Sequence, residues 1–261
     1  MDTTINTILS EKIAQIKSGE NAYTTGRVRL VREYILEATG LDDVSYFERV
    51  TVGDKAEGYV DAIRSDCVLI ALTRVSGKIC VGDRVTATGK EFSVQYSPDS
   101  MGHVVDIFGE DRLAGKRFDQ LIDLPMEKEP ISIMERIAVT RPLLTGIAGI
   151  DLMYPIGRGQ RQLIIGDKKT GKTQIALDTI CNQAGQNIRC IYVAIGKTKK
   201  EIKDIYSQLL RYGAMAYTVI ISALNDDPAP VLRNTPYAAL AIARSYLEQG
   251  EDVLVVLDDL K

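Results

Sequence analysis

Gly166-Asp167-Lys168-Lys169-Thr170-Gly171-Lys172-Thr173 is the stretch on which the fold turns. It meets the P-loop pattern Gly-x4-Gly-Lys-[Ser/Thr] at every fixed position. Its two glycines let the backbone take positive φ and aim successive N–H groups at one point. Lys172 adds a mobile positive charge and Thr173 a hydroxyl suited to a magnesium ion. A phosphate group is the guest such a loop holds. The four fixed positions coincide by chance in roughly one chain in a hundred of this length, so the flanking sequence carries the argument.

The flanks have the required order. Residues 161–165, Arg-Gln-Leu-Ile-Ile, form a short apolar run ending at Gly166 and read as a buried parallel strand. Residues 172–184 place Ile175, Ala176, Thr179 and Ile180 at helical spacing. The N-terminal amides and dipole of that helix would add to an anion site.

Composition sets the frame. The chain has 261 residues, 45% of them hydrophobic, and a formal net charge of −3. That fits a soluble globular protein with one large domain or two modest ones, and no charge bias points to nucleic acid. No apolar run approaches the roughly 18 residues of a membrane span, and no signal peptide is evident, so a cytosolic setting without membrane insertion is expected. Cys67, Cys80, Cys181 and Cys190 form no Cys-x2-Cys pair. Buried free thiols are expected rather than zinc or disulfides. His103 has no carboxylate or cysteine at catalytic spacing and receives no role.

Outward from the loop, the second half alternates helix and strand. Strands are expected over 190–195, 217–222 and 252–257, with helices over 199–212 and 231–249. This rhythm implies βαβ units around a parallel sheet. The last strand runs Val253-Leu254-Val255-Val256-Leu257 into Asp258. An acid at the C-terminal end of such a strand lies at the ligand edge of the sheet, where Asp258 would hold the magnesium ion with Thr173.

Toward the N-terminus the texture differs. Ile5, Ile8, Leu9, Ile13 and Ile16 mark an amphipathic helix that could cover this chain's own core or dock on a partner. From about residue 26 to 96 come short β-branched runs, including 57–63, 67–75, 84–88 and 92–96, separated by Gly-containing turns. Their close spacing argues for a small antiparallel barrel or sandwich. A strand over 103–108 reads as part of the following domain. The division is therefore an N-terminal amphipathic helix at 1–25, a β-barrel at 26–97 and an α/β nucleotide-binding domain at 98–261.

These residues also carry a family resemblance. Residues 155–167, Pro-Ile-Gly-Arg-Gly-Gln-Arg-Gln-Leu-Ile-Ile-Gly-Asp, and the loop after them resemble the alpha subunits of F-type rotary ATP synthases. So do Thr145-Gly146, Ile150-Asp151, Ala176-Leu177-Asp178-Thr179-Ile180, Tyr192-Val193-Ala194-Ile195-Gly196, Asp227-Pro228-Ala229-Pro230 and Asp258-Asp259-Leu260. The likeness is dense over 130–261 and weaker before it. It implies a β-barrel followed by a RecA-like P-loop domain, binding ATP or ADP with Mg2+ through Gly166, Asp167, Lys168, Lys169, Thr170, Gly171, Lys172, Thr173 and Asp258, with Thr173 and Asp258 on the metal and no catalytic residue.

The resemblance further implies a regulatory site in a hetero-hexameric ring. Its partners would be beta, gamma and delta subunits, and the complex would be peripheral on the cytoplasmic side of the cell membrane, serving ATP synthesis coupled to proton transport. Catalytic beta subunits of that family carry Gly-Glu-Arg where this chain has Gly196-Lys197, and alpha subunits have glutamine in place of the glutamate. A lysine cannot polarise water as a carboxylate does, so binding without turnover is expected, and Glu201 stands a helical turn further on.

Departures from the family are also expected to matter. Lys168 and Lys169 replace the family's Arg and Gln, and Lys197-Thr198-Lys199-Lys200 forms a basic cluster that reads either as phosphate-facing or as a solvated helix start. The sequence stops just past Asp258, which suggests a divergent chain, truncated after that strand, with an incomplete nucleotide-binding domain, an exposed sheet edge and poor stability alone. Two alternatives stay open: a catalytic ATPase of the flagellar or secretion-export kind, and a nucleotide-binding fragment outside any ring.

Overall fold

A computed structural model describes residues 24–128, 132, 134 and 138–260. The amphipathic helix expected near the N-terminus lies outside the described residues. The chain divides into two compact units, one ending at Phe92 and one beginning at Ser93.

The first unit is a closed antiparallel barrel. Its strands are β1 (Thr25–Arg32), β2 (Ile35–Thr39), β3 (Glu48–Val52), β4 (Ala56–Ile63), β5 (Val68–Val75) and β6 (Arg84–Glu91), arranged in the order β1-β2-β5-β4-β3-β6. Closure comes from β1 pairing with β6, which leaves no free strand edge. Period-2 alternation decides what fills it: Val50 and Val52 of β3, Leu36 of β2, Ile70 and Leu72 of β5 and Val85 of β6 point inward and are buried. Each such side chain contributes roughly 1.5–3 kcal/mol by leaving water. Gly58 stands where a Cβ would come within 2.3 Å of the Ala71 carbonyl oxygen, so the bulge between Glu57 and Gly58 admits no larger residue.

One expected barrel strand belongs elsewhere. β7 (Ser93–Tyr96) pairs antiparallel with β11 (Ile122–Pro125) in the second unit, not with any barrel strand. The reason is its buried face: Val94 and Tyr96 point inward, and the Tyr96 hydroxyl meets that of Tyr246 there. Alternation announced a strand but carried no information about its neighbour.

The second unit is organised on a six-stranded sheet in the order β10-β9-β8-β15-β14-β16. These strands are β8 (Val104–Val105), β9 (Glu110–Asp111), β10 (Lys116–Arg117), β14 (Ile188–Lys197), β15 (Thr218–Leu224) and β16 (Asp252–Asp258). The pairs β8 with β15, β15 with β14, and β14 with β16 are parallel. The strand expected over 103–108 is thus reduced to two residues, because Asp106 turns the chain by accepting from the N–H groups of Phe108 and Glu110. A small ladder joins β12 (Pro142–Leu143) to β13 (Ile156–Gly157), with α1 (Ala148–Met153) between them.

Three longer helices cover the sheet: α2 (Lys172–Cys181), α3 (Lys199–Arg211) and α4 (Ala229–Glu248). Cys190, Tyr192 and Ala194 of β14 pack with Leu177 and Ile180 of α2 and with Ile202, Ile205 and Leu209 of α3. Alternation turns Ile191 and Val193 to the opposite face, where α4 packs on β14, β15 and β16. β15 is buried at all seven positions, as a parallel strand covered on both faces should be, whereas every residue of β16 is only half-buried. Pro228 caps α4 and Pro230 stands in its first turn, where a missing N–H costs nothing.

Residues 161–165 do not form the expected strand. They join no sheet, and Leu163 and Ile165 are 74% and 84% exposed. A strand persists only where a neighbour takes its N–H and C=O groups, and among the described residues β16 pairs with β14 alone. An apolar run advertises burial, but the partner strand must be supplied by tertiary structure.

Candidate functional site

The glycine loop leads into α2 as the motif requires. Gly171 is the N-cap with φ 92°, a left-handed conformation that costs glycine nothing. Lys169 takes φ 64°, a region sparsely populated by residues with a Cβ, so the loop holds strain at one of its non-family lysines. The Lys172 ammonium curls back to the carbonyl oxygens of Gly166 and Asp167, at 2.7 and 2.5 Å. Thr170 Oγ1 donates to the Asp167 carbonyl at 2.9 Å, which tightens the turn. Lys168 and Lys169 are exposed.

Thr173 follows in the first turn of α2, and its hydroxyl donates to Asp258 Oδ2 at 2.8 Å. The structure therefore brings together the two residues that sequence reasoning paired across 85 positions. They meet because α2 packs over the parallel sheet with its N-terminus toward the carboxyl end of β16, whose last residue is Asp258.

Two further groups converge on the same carboxylate oxygen. Tyr192, on the face of β14 that α2 and α3 cover, donates its hydroxyl to Asp258 Oδ2 at 2.5 Å. Lys197, the last residue of β14, places Nζ 3.1 Å from that oxygen. The Lys197 and Asp258 side chains are 15% and 14% exposed, so the pair is largely withdrawn from water. Burial pushes the Asp258 carboxyl up, but the hydroxyls of Tyr192 and Thr173 and the Lys197 charge outweigh it and hold the group below the usual range. Burial, and then the adjacent Asp258 carboxylate, push the Tyr192 phenol up, so it remains a donor.

Sequence reasoning missed Tyr192, although a tyrosine inside a buried apolar strand signals a hydroxyl in need of a partner. It noted Lys197 for the carboxylate it replaces and not for the carboxylate it binds. The basic cluster at 197–200 is split: Lys197 turns inward, while Lys199 and Lys200 open α3 and are exposed. Thr198 is the N-cap between them. Its N–H and hydroxyl reach Glu201 Oε2 at 2.8 and 2.7 Å, and the Glu201 N–H reaches Thr198 Oγ1 at 3.3 Å, a complete capping box.

Two expectations away from the loop need correction. His103 is not without an acid: its Nδ1 lies 2.7 Å from Oδ2 of Asp111, eight residues on, because the β8–β9 turn folds them together. Nor are all the free thiols buried. Cys67 and Cys190 are, but Cys181 is partly exposed and Cys80 is exposed, in a turn where burial has no apolar face to draw on. Burial pushes the Cys190 thiol up to about 12.

A hydroxyl and a carboxylate, both hard oxygens of the kind magnesium takes, meet beside the glycine loop. The fit carries one qualification in charge, since Lys197 already brings a positive charge to the same oxygen.

A mixed α/β sheet with a parallel centre, beside a glycine loop that opens a helix near a strand-end acid, is the arrangement of the P-loop nucleotide-binding class. Residues 146–261 match the model of the ATP synthase alpha/beta family, nucleotide-binding domain. The whole chain is similar to proteins named ATP synthase subunit alpha. It is 38% identical to that of Lactobacillus johnsonii over 258 residues, covering 98% of this chain and 51% of the relative. To that of Limosilactobacillus reuteri it is 39% identical over 258 residues, with 98% and 50% covered, and to that of Pediococcus pentosaceus 39% over 257 residues, with 98% and 51% covered. The chain is thus similar to ATP synthase alpha subunits along nearly its whole length and spans about half the length of the curated relatives it matches. Among the described residues no helix is long and apolar enough to cross a membrane.

Proposed function

We propose that this chain is a regulatory, non-catalytic ATP-binding alpha subunit of an F-type ATP synthase head, supporting ATP synthesis coupled to proton transport. The observation that carries this reading is the end of β14. Where turnover needs a carboxylate to orient the attacking water, Lys197 presents an ammonium ion-paired with Asp258. Glu201, one helical turn on, has its carboxylate engaged in the Thr198 cap.

In this reading the N–H groups of residues 166–173 and the Lys172 charge hold the phosphates of ATP or ADP, and the N-terminus of α2 adds its dipole. Thr173 and Asp258 are the residues that the P-loop pattern assigns to a magnesium ion, which would neutralise phosphate charge, and Lys197 already supplies a positive charge at Asp258. Tyr192 orients the Asp258 carboxylate from the sheet side. The partners would be beta, gamma and delta subunits in a hetero-hexameric ring, at the cytoplasmic side of the cell membrane as a peripheral complex. Likeness to alpha subunits along nearly the whole chain supports this over a catalytic export ATPase.

Titration with a fluorescent ATP analogue tests the site. We expect saturable binding by the wild type, loss of at least about tenfold in affinity in Lys172→Ala, and no phosphate release above background. Phosphate release by the wild type that Lys172→Ala abolishes would overturn the non-catalytic reading. Failure to co-purify with coexpressed beta and gamma subunits would overturn the assembly.

A further inference from the structure

The carboxylate that ends β16 already has a cation. Asp258 Oδ2 receives the Thr173 hydroxyl at 2.8 Å, the Tyr192 hydroxyl at 2.5 Å and the Lys197 ammonium at 3.1 Å. All three reach one oxygen, the one shared with the hydroxyl next in sequence to the loop lysine. A divalent ion bridging Thr173 and Asp258 would have to displace Lys197 or sit against its charge. Both are costly, because the pair is mostly shielded from solvent, where like-charge repulsion and ion pairing are stronger than in water. Magnesium, which gives up its water reluctantly, gains least where the carboxylate is already neutralised.

Lys197 is also well placed to keep the ammonium there. It pairs with Leu224 of β15 at the end of β14, just past a register shift after Ile195, and the Thr198 capping box begins α3 at the next residue. Its backbone is thereby held from both directions.

We infer that Lys197 is a tethered cation in the metal's place, so that this site binds nucleoside di- and triphosphates with little or no dependence on divalent ions. The inference rests on the reading of residues 166–173 as a nucleotide site. It departs from the magnesium requirement that the P-loop pattern alone leads one to expect. The lysine neutralises Asp258, and a divalent ion becomes dispensable for affinity. Nucleotide choice shifts accordingly, toward free nucleotide over its magnesium complex.

The test is equilibrium binding of a fluorescent ADP analogue to the full chain, in excess magnesium chloride and in excess EDTA, for the wild type, Lys197→Gln and Lys197→Arg. The wild type is expected to show dissociation constants within about threefold of each other in the two conditions, and Lys197→Arg to behave likewise. Lys197→Gln is expected to bind at least about tenfold more weakly in EDTA than in magnesium. Equilibrium dialysis with Mn2+ and ADP gives a second readout, in which Lys197→Gln retains more metal per bound nucleotide than the wild type. A wild type that loses tenfold or more in EDTA overturns the inference while leaving the nucleotide site intact. So does a Lys197→Gln variant indistinguishable from wild type in both conditions. Absence of nucleotide binding by the wild type in either condition overturns the site reading itself, and the inference with it.

Discussion

At the scale of single residues, charge placement separates this site from a generic phosphate loop. Lys197 and Asp258 form a shielded pair near the carboxyl edge of the sheet, and a second pairing pins the other end of the same strand. Arg158 and Arg141 reach the two carboxylate oxygens of Asp252 at 2.8 and 2.9 Å, tying the β12–β13 ladder to the start of β16. Burial pushes the Asp252 carboxyl up, but the two guanidinium groups prevail and hold it below its ordinary value. A depressed carboxyl contributes stability that is fully present above the unfolded value of about 3.9 and disappears as pH falls through the folded value. Arg158→Met should therefore cost about 1 kcal/mol at pH 7, after allowance for partial exposure, and almost nothing near pH 2. Urea unfolding of both proteins at the two pH values checks this, and a cost that does not change with pH would show that Arg158 acts through packing.

At the scale of elements, α3 shows how a helix start fixes a site residue. Thr198 and Glu201 satisfy the first orphan N–H groups of the helix reciprocally, so the chain turns sharply between Lys197 and Lys199. The spacing Thr-x-x-Glu is visible in the sequence and marks a helix N-terminus, whereas the inward direction of Lys197 is not. Thr198→Ala should lower stability by about 1 kcal/mol, and Thr198→Ser by much less. Thermal unfolding measures both. If Thr198→Ala also weakens nucleotide binding while Thr198→Ser does not, the cap is what orients Lys197.

At the scale of the molecule, the two units solve the problem of sheet edges differently. The barrel closes on itself and has none. Among the described residues the sheet of the second unit ends on β16, half-buried throughout, and the apolar run Leu163-Ile164-Ile165 stands exposed. Leu152, Met153 and Tyr154 are likewise more than two-thirds exposed. Apolar surface and an open strand edge together promote association between chains. Replacing Leu163 and Ile165 by lysine should reduce light scattering at high protein concentration and leave the melting temperature within about 2 °C, since neither side chain is packed. A large fall in melting temperature would mean that the run is buried in solution.

The sequence by itself determined the alternation of helices and strands from residue 172 onward, the loop and its helix, the barrel-forming texture before it, and the pairing of Thr173 with Asp258. Each is written in local periodicity, in glycine placement or in the rule that parallel strands end at the ligand edge. Tertiary structure alone decided which strand lies beside which: Ser93–Tyr96 pairs with Ile122–Pro125, residues 161–165 pair with no strand among the described residues, and His103 meets Asp111. It also decided that Tyr192 and Lys197 share one oxygen of Asp258. The physical reason is the same in every case. Alternation and helical spacing report that a face must be covered, but hydrogen bonds and ion pairs across many residues depend on the neighbour that packing supplies.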